Sequence, residues 1–204
     1  MVGQLTRDTT ELPAYQVERR QRILDAAKTL LRSTDFESIQ IRDVASTANV
    51  ALGTLYRYFS SKEHLYANVL YDWSVPFYSA DQSWANGLET TERVARRLRN
   101  ALAAFEKKPH FYQTILILRT SSDQDVRELM QQLMLVLEEP FRSDFAALPP
   151  DEAADVTSMV WAVLMDLVGR LLSGNKTLPE ATRVLDRFVA LIGLRLEQTQ
   201  ARER

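Results

Sequence analysis

Apolar residues recur at offsets of three and four along most of this chain, and no stretch alternates apolar and polar side chains over six residues with β-branched enrichment. That periodicity decides the fold class. Between Val17 and Leu31 the residues Ile23, Ala26, Ala27, Leu30 and Leu31 fall on one stripe of a helix. Six glycines and seven prolines punctuate 204 residues, mostly between periodic segments, so the helices they separate are long. Short helical segments are expected at about 41–48 and 51–58. Ser60-Ser61-Lys62-Glu63 then reads as a capping box, with Ser60 accepting from the backbone and Glu63 reaching back, ahead of a helix carrying Leu65, Val69 and Leu70 that should stop near Pro76. Residues 79–90 are the most loop-like stretch. Further helices are predicted at about 90–107, 110–119, 123–147, 150–173 and 179–200, with Pro140 kinking or splitting one of them. No strand is expected, and the fold class is all-α.

Several functions are excluded by what the chain lacks. With no cysteine there is no disulfide framework, thiolate zinc site, iron-sulfur cluster or thiol nucleophile. The two histidines, His64 and His110, stand in no metal-ligand spacing, and no glycine-rich phosphate loop occurs. The expectation is therefore no enzyme, no catalytic or metal site and no cofactor. Apolar runs such as Thr114 to Leu118 fall far short of the roughly 20 residues a membrane span needs. The N-terminus has no apolar signal core. A cytoplasmic protein without a membrane partner is expected.

The segment Ile41 to Lys62 has the spacing of a helix-turn-helix. Asn49 stands at the turn, because asparagine tolerates the left-handed backbone that a tight turn between helices requires. Val44, Ala45, Val50, Leu55 and Phe59 form the seam that packs both short helices on the first long one. Leu52, Thr54, Tyr56, Arg57, Tyr58 and Lys62 are then the groups offered to nucleic acid. Gly53 allows close backbone approach to a phosphate, and Thr54 and Tyr58 can donate hydroxyl hydrogen bonds to phosphate oxygens. Lys62 begins the next helix, where free N–H groups already favour an anion. Arg42 can reach a phosphate or a guanine edge. The plainer alternative makes the tyrosines core-edge residues and Arg57 and Lys62 solvated charges.

Ala51-Leu-Gly-Thr-Leu-Tyr-Arg-Tyr-Phe-Ser-Ser-Lys-Glu-His-Leu65, preceded by Ile41-Arg-Asp-Val-Ala45 and Arg22-Ile-Leu-Asp-Ala-Ala27, resembles the signature of TetR-type transcriptional repressors. The resemblance implies a TetR-like fold: a flexible arm at 1–16, a three-helix helix-turn-helix DNA-binding domain at 17–62, and a larger helical effector-binding and dimerisation domain at 63–204. It implies a homodimer on pseudo-palindromic double-stranded operator DNA, released when a hydrophobic small molecule binds, with free energy passing through the helix from about 61 to 75. It marks Arg42, Gly53, Thr54, Tyr56, Arg57, Tyr58 and Lys62 as DNA-facing. Gln40 and Ala51 stand where the family often has threonine and serine helix caps. Asp43-Val-Ala, Gly53-Thr-Leu-Tyr-Arg-Tyr-Phe, Val160-Trp-Ala-Val-Leu and Arg183 to Gly193 are more narrowly similar to actinobacterial sterol-catabolism repressors of the KstR type, which suggests a steroid or acyl-CoA effector.

The last two predicted helices carry broad apolar stripes, including Val160, Leu164, Leu167 and Leu171 on one and Leu185, Phe188, Val189 and Ile192 on the other. The family resemblance makes these the dimer interface, with Ala162, Gly169 and Gly193 permitting close helix approach. The alternative is an ordinary monomer core. Trp73, Phe111, Met130, Met134 and Trp161 are the candidates to line an apolar ligand pocket. Arg96, Arg97 and Arg99 make a cationic cluster that a CoA phosphate could use. A helical DNA-binding interaction module without small-molecule control is the competing function.

A net charge of −2 argues against a nucleic-acid partner until it is divided. Between Val17 and Lys62 there are eight Lys/Arg and five acids, giving +3, and the other 158 residues therefore carry −5. A basic head on an acidic body is the asymmetry expected of a chain that touches DNA at one end.

Overall fold

The computed structural model describes residues 13–78 and 82–202, and those residues are all-α without a strand. The helices are α1 (Ala14–Leu31), α2 (Ile41–Thr47), α3 (Leu52–Tyr58), α4 (Lys62–Tyr78), α5 (Thr90–Lys107), α6 (Pro109–Leu118), α7 (Gln124–Asp144), α8 (Pro150–Leu172) and α9 (Leu178–Arg202). A short 3-10 turn covers Gln82–Ala85. Residues 1–12 of the expected N-terminal arm, and residues 79–81 of the expected loop, lie outside the described residues. The chain divides into two compact units, and the division does not follow chain order. One comprises residues up to Val75 with His110–Leu135, and the other Pro76–Pro109 with residues from Val136 onward.

In the first unit, α1 buries Ile23, Leu24, Ala26, Ala27 and Leu31. Val44 and Ala45 of α2, Ala48 just after it, and Leu55 and Phe59 at α3 complete that core. Asn49 has φ of 52°, the left-handed backbone that turns α2 into α3. Two polar ties join α1 to α4: Arg20 Nη2 donates to Asn68 Oδ1 at 2.6 Å, and Lys28 pairs with Asp72. Tyr66 is fully buried, its ring edge-on to Phe36 with centroids 5.4 Å apart. Burial pushes its hydroxyl well above the ordinary tyrosine pKa.

The start of α4 corrects the expected capping box by one residue. The cap is Ser61, whose Oγ accepts from the His64 N–H at 2.9 Å. His64, not Glu63, reaches back, its Nδ1 accepting from the Ser60 N–H at 3.2 Å. Glu63 instead accepts from the Ser121 hydroxyl, and Ser61 Oγ lies 3.5 Å from Asp123 Oδ2. A serine pair offers two cap registers, and these contacts with the α6–α7 connection select the second. Two prolines lie within helices: α4 ends two residues past Pro76, near where it was expected to stop, and Pro140 does not split α7.

In the second unit α5 packs against α8 and α9, and α8 against α9. Val94, Ala95, Leu98, Leu102 and Phe105 face inward from α5. Val160, Leu164, Leu167, Leu185, Val189 and Ile192 answer from α8 and α9. Gly193 lets α9 approach α5 closely: a Cβ there would lie 2.8 Å from Thr91 Cγ2. Asp144, with 5% of its side chain exposed, accepts from Arg93 Nε at 2.6 Å and Arg97 Nε at 3.2 Å. Arg195 grips Glu152 through Nε and Nη2 at 2.5 and 2.7 Å, a bidentate tie from α9 to α8.

Candidate nucleic-acid interface

α3 is short because its ends are fixed by neighbours rather than by caps. Ala51 and Gln40 hold the extended N-cap backbone of α3 and α2 without a side-chain cap bond. Leu55 faces inward and is fully buried, as is Phe59 just beyond the helix. Phe59 is pinned by the Arg20 guanidinium, 5.2 Å over its ring, and by His64, edge-on at 5.9 Å. With the seam so anchored, the rest of α3 turns outward. Leu52 and Tyr56 are 44% and 49% exposed, Gly53 and Arg57 are exposed, and Thr54 and Tyr58 are half-buried. A Cβ at Gly53 would meet no heavy atom within 4 Å, so whatever the missing side chain makes room for is not part of this unit.

Two further cations flank α3 and differ in how freely they stand. Arg42, on the first turn of α2, is highly exposed and only 3.9 Å from Asp43 Oδ1 in a loose pair. Lys62 is partly committed: its Nζ donates to the Glu37 carbonyl at 3.2 Å and sits 4.5 Å over the Phe36 ring. Desolvation draws its pKa below the ordinary lysine value, against the opposing pull of Asp35 and Glu37. The structure therefore brings Leu52, Gly53, Thr54, Tyr56, Arg57 and Tyr58 onto one short helix, with Arg42 and Lys62 on the helices before and after it. The exposed Ser46 and Thr47, on the last turn of α2, join this polar set. Nothing in their sequence context distinguished them from any solvated hydroxyl.

Residues 23–69 match the model of the family described as bacterial regulatory proteins, tetR family. The chain is also 31% identical over 175 residues to the HTH-type transcriptional repressor KstR of Rhodococcus jostii (strain RHA1), a match spanning 83% of this chain and 80% of that protein. This chain belongs to the TetR family. It is a DNA-binding transcription regulator of KstR-like type, and the helix-turn-helix described above is the family's. Its fold is likewise that of TetR structures. A TetR regulator from Rhodococcus sp. RHA1 superposes with a TM-score of 0.70 at 23% identity, covering 87% of this chain and 96% of that one. FadR of Bacillus subtilis, solved in complex with stearoyl-CoA, gives a TM-score of 0.66 at 16% identity, covering 84% and 96%.

The other sequence-derived candidates of this TetR chain are placed less simply. Trp73 and Phe111 come together in the first unit, ring centroids 4.8 Å apart, with Met130 buried and Met134 half-buried in that unit. Trp161 belongs to the second unit, half-buried, with Phe141 edge-on at 6.1 Å. Its Nε1–H is buried and has no hydrogen-bond partner among the described residues, a situation that typically costs about 1–3 kcal/mol. The cationic cluster of α5 is largely spoken for: Arg97 holds Asp144, and Arg99 Nη2 lies 2.8 Å from Asp186 Oδ1. Arg96 stacks over the Trp84 ring at 4.7 Å.

The residues of the expected dimer stripe differ in how far the chain's own packing covers them. Val160, Leu164, Leu167, Leu185, Val189 and Ile192 are buried within the chain's own packing of α5, α8 and α9, and Leu171 and Phe188 are half-buried. The large apolar groups that α8 and α9 leave outside are Met159, Leu191 and Leu194, 56–65% exposed. Gly193, expected to bring helices of two chains together, serves α5–α9 packing within one. Helical periodicity marks an apolar face, but two faces of α9 are apolar, and only packing tells which is covered. Among the described residues no helix is long and apolar enough to cross a membrane, and no group of three potential metal ligands occurs.

Proposed function

We propose that this TetR-family chain represses transcription as a homodimer on a pseudo-palindromic operator and is released by a hydrophobic effector with a steroid or acyl-CoA body. The observation that carries the reading is the outward face of α3, where Gly53, Thr54, Tyr56 and Arg57 stand clear of the core that Leu55 anchors. In a helix-turn-helix that face enters the major groove, and a two-fold dimer presents two copies to two half-sites. Arg42 and Lys62 contact the flanking phosphates. The dimer forms through the exposed apolar groups of α8 and α9, Met159, Leu191 and Leu194. The effector class is supported by the likeness to the KstR repressor and by the FadR fold that holds stearoyl-CoA. Such a ligand moves the population off the operator only by its differential affinity for the two states.

Binding to the intergenic DNA upstream of the protein's own coding region tests the reading. Arg57→Ala should weaken it by about 1–3 kcal/mol, and Tyr58→Phe by less, with the melting temperature unchanged in both. Undiminished affinity in both variants would sink the assignment of α3. Light scattering at micromolar concentration should give a dimer mass that Leu191→Asp lowers to a monomer. Raised melting temperature with a steroid or acyl-CoA, coupled to loss of operator binding, separates this regulator from a module without small-molecule control.

A further inference from the structure

Tryptophan offers one polar group, an N–H that donates and cannot accept. That of Trp161 is buried and unpartnered among the described residues, although the residue as a whole keeps part of its surface accessible. Its own helix supplies no acceptor. The backbone carbonyls of α8 are engaged within the helix, and Thr157, one turn earlier, donates its hydroxyl to the Ala153 carbonyl at 2.8 Å and does not accept from the indole. The ring against it is Phe141, near perpendicular with centroids 6.1 Å apart, and it carries no nitrogen or oxygen acceptor. Buried donors are almost always satisfied, and each exception calls for an explanation such as a ligand or ion. The surroundings define the missing acceptor. Arg142 and Arg170, the cations of α7 and α8 nearest in sequence to this pair, are held by Glu138 and Asp166 in their own helices, at 3.1 and 2.7 Å. A carboxylate set against the buried indole would be a charge taken out of water, which is strongly disfavoured unless a cation pairs with it, and these two are already paired. A neutral oxygen on an apolar body is not so disfavoured.

We propose that the Trp161 indole N–H is the polar anchor of the effector, donating a hydrogen bond to a carbonyl oxygen carried by an otherwise apolar ligand. This rests on the effector-responsive reading above and adds the chemical group that is recognised. A ring ketone and an acyl thioester both present that group.

The test compares each carbonyl compound with its analogue lacking the oxygen, on wild type and on Trp161→Phe, which keeps the aromatic face and removes the donor. The steroid pair is cholest-4-en-3-one and cholest-4-ene, and the acyl pair is palmitoyl-CoA and its S-hexadecyl thioether. Trp161→Phe should weaken binding of the carbonyl member of one pair roughly tenfold and leave its deoxygenated partner unchanged. Which pair responds identifies the source of the carbonyl. In wild type, the indole N–H resonance that Trp161→Phe abolishes should move downfield on adding that compound, a signal a merely structural tryptophan would not give. The ligand-free variant should melt no lower than wild type, since an unpartnered donor has been removed. Equal affinity of wild type and Trp161→Phe for the carbonyl compounds overturns the anchor while leaving effector control standing. Failure of all four compounds to bind wild type overturns effector control and the anchor with it.

Discussion

The short helix α3 and the last helix of the chain, α9, use apolar residues in opposite ways. α3 is seven residues long and buries only Leu55 completely, so nearly everything else on it is available outside. α9 is 25 residues long, and it buries Ala181, Leu185, Val189, Ile192 and Leu196 while leaving Leu191 and Leu194 exposed. A short helix with one inward anchor presents its function as a list of outward residues, which can be read directly. A long helix with two apolar faces presents a choice, and the choice is made by what packs on it.

The largest effect expected from breaking this contrast lies in the body. Asp144→Ala leaves Arg93 and Arg97 as partly buried cations without their shared carboxylate, and should lower stability by about 3–5 kcal/mol in thermal or denaturant unfolding. Next comes Lys62→Ala in the head. Operator affinity should fall roughly tenfold, and the dependence of log affinity on log salt should flatten by about one, as for loss of one phosphate contact. An unchanged salt slope would assign Lys62 wholly to its contacts with Glu37 and Phe36. Gly193→Ala should cost about 1 kcal/mol net, overpacking against Thr91 offset in part by alanine's better helix propensity. Thr91→Ser, which removes the clashing methyl, should restore it. A loss on Gly193→Ala that appeared only at concentrations forming dimer would move the glycine back to a subunit interface. The smallest effect is a gain: Ala51→Ser supplies the missing cap of α3 and should add about 1 kcal/mol, read as a raised melting temperature.

Most of the head was readable in advance because its geometry is local. The turn at Asn49 follows from one backbone conformation, and the division of Leu55 and Phe59 from Tyr56 and Arg57 follows from helical spacing over seven residues. Ser61 marks where local reading stops. Both Ser60 and Ser61 are competent caps, and it is Ser121 and Asp123, sixty residues away, that accompany the choice of Ser61. Pro140 is similar: a proline weakens a helix locally, yet α7 continues through it from Gln124 to Asp144.

The sequence by itself determined that this chain is helical, that it carries a helix-turn-helix, and which side chains of α3 are turned outward, since periods of three and four residues fix all of these. Only the tertiary structure decided which apolar faces of α8 and α9 are spent inside one chain, which arginines of α5 are held by Asp144 and Asp186, and that the N–H of Trp161 has no acceptor among the described residues. Those facts depend on residues dozens of positions apart meeting in space, and no local period encodes such a meeting.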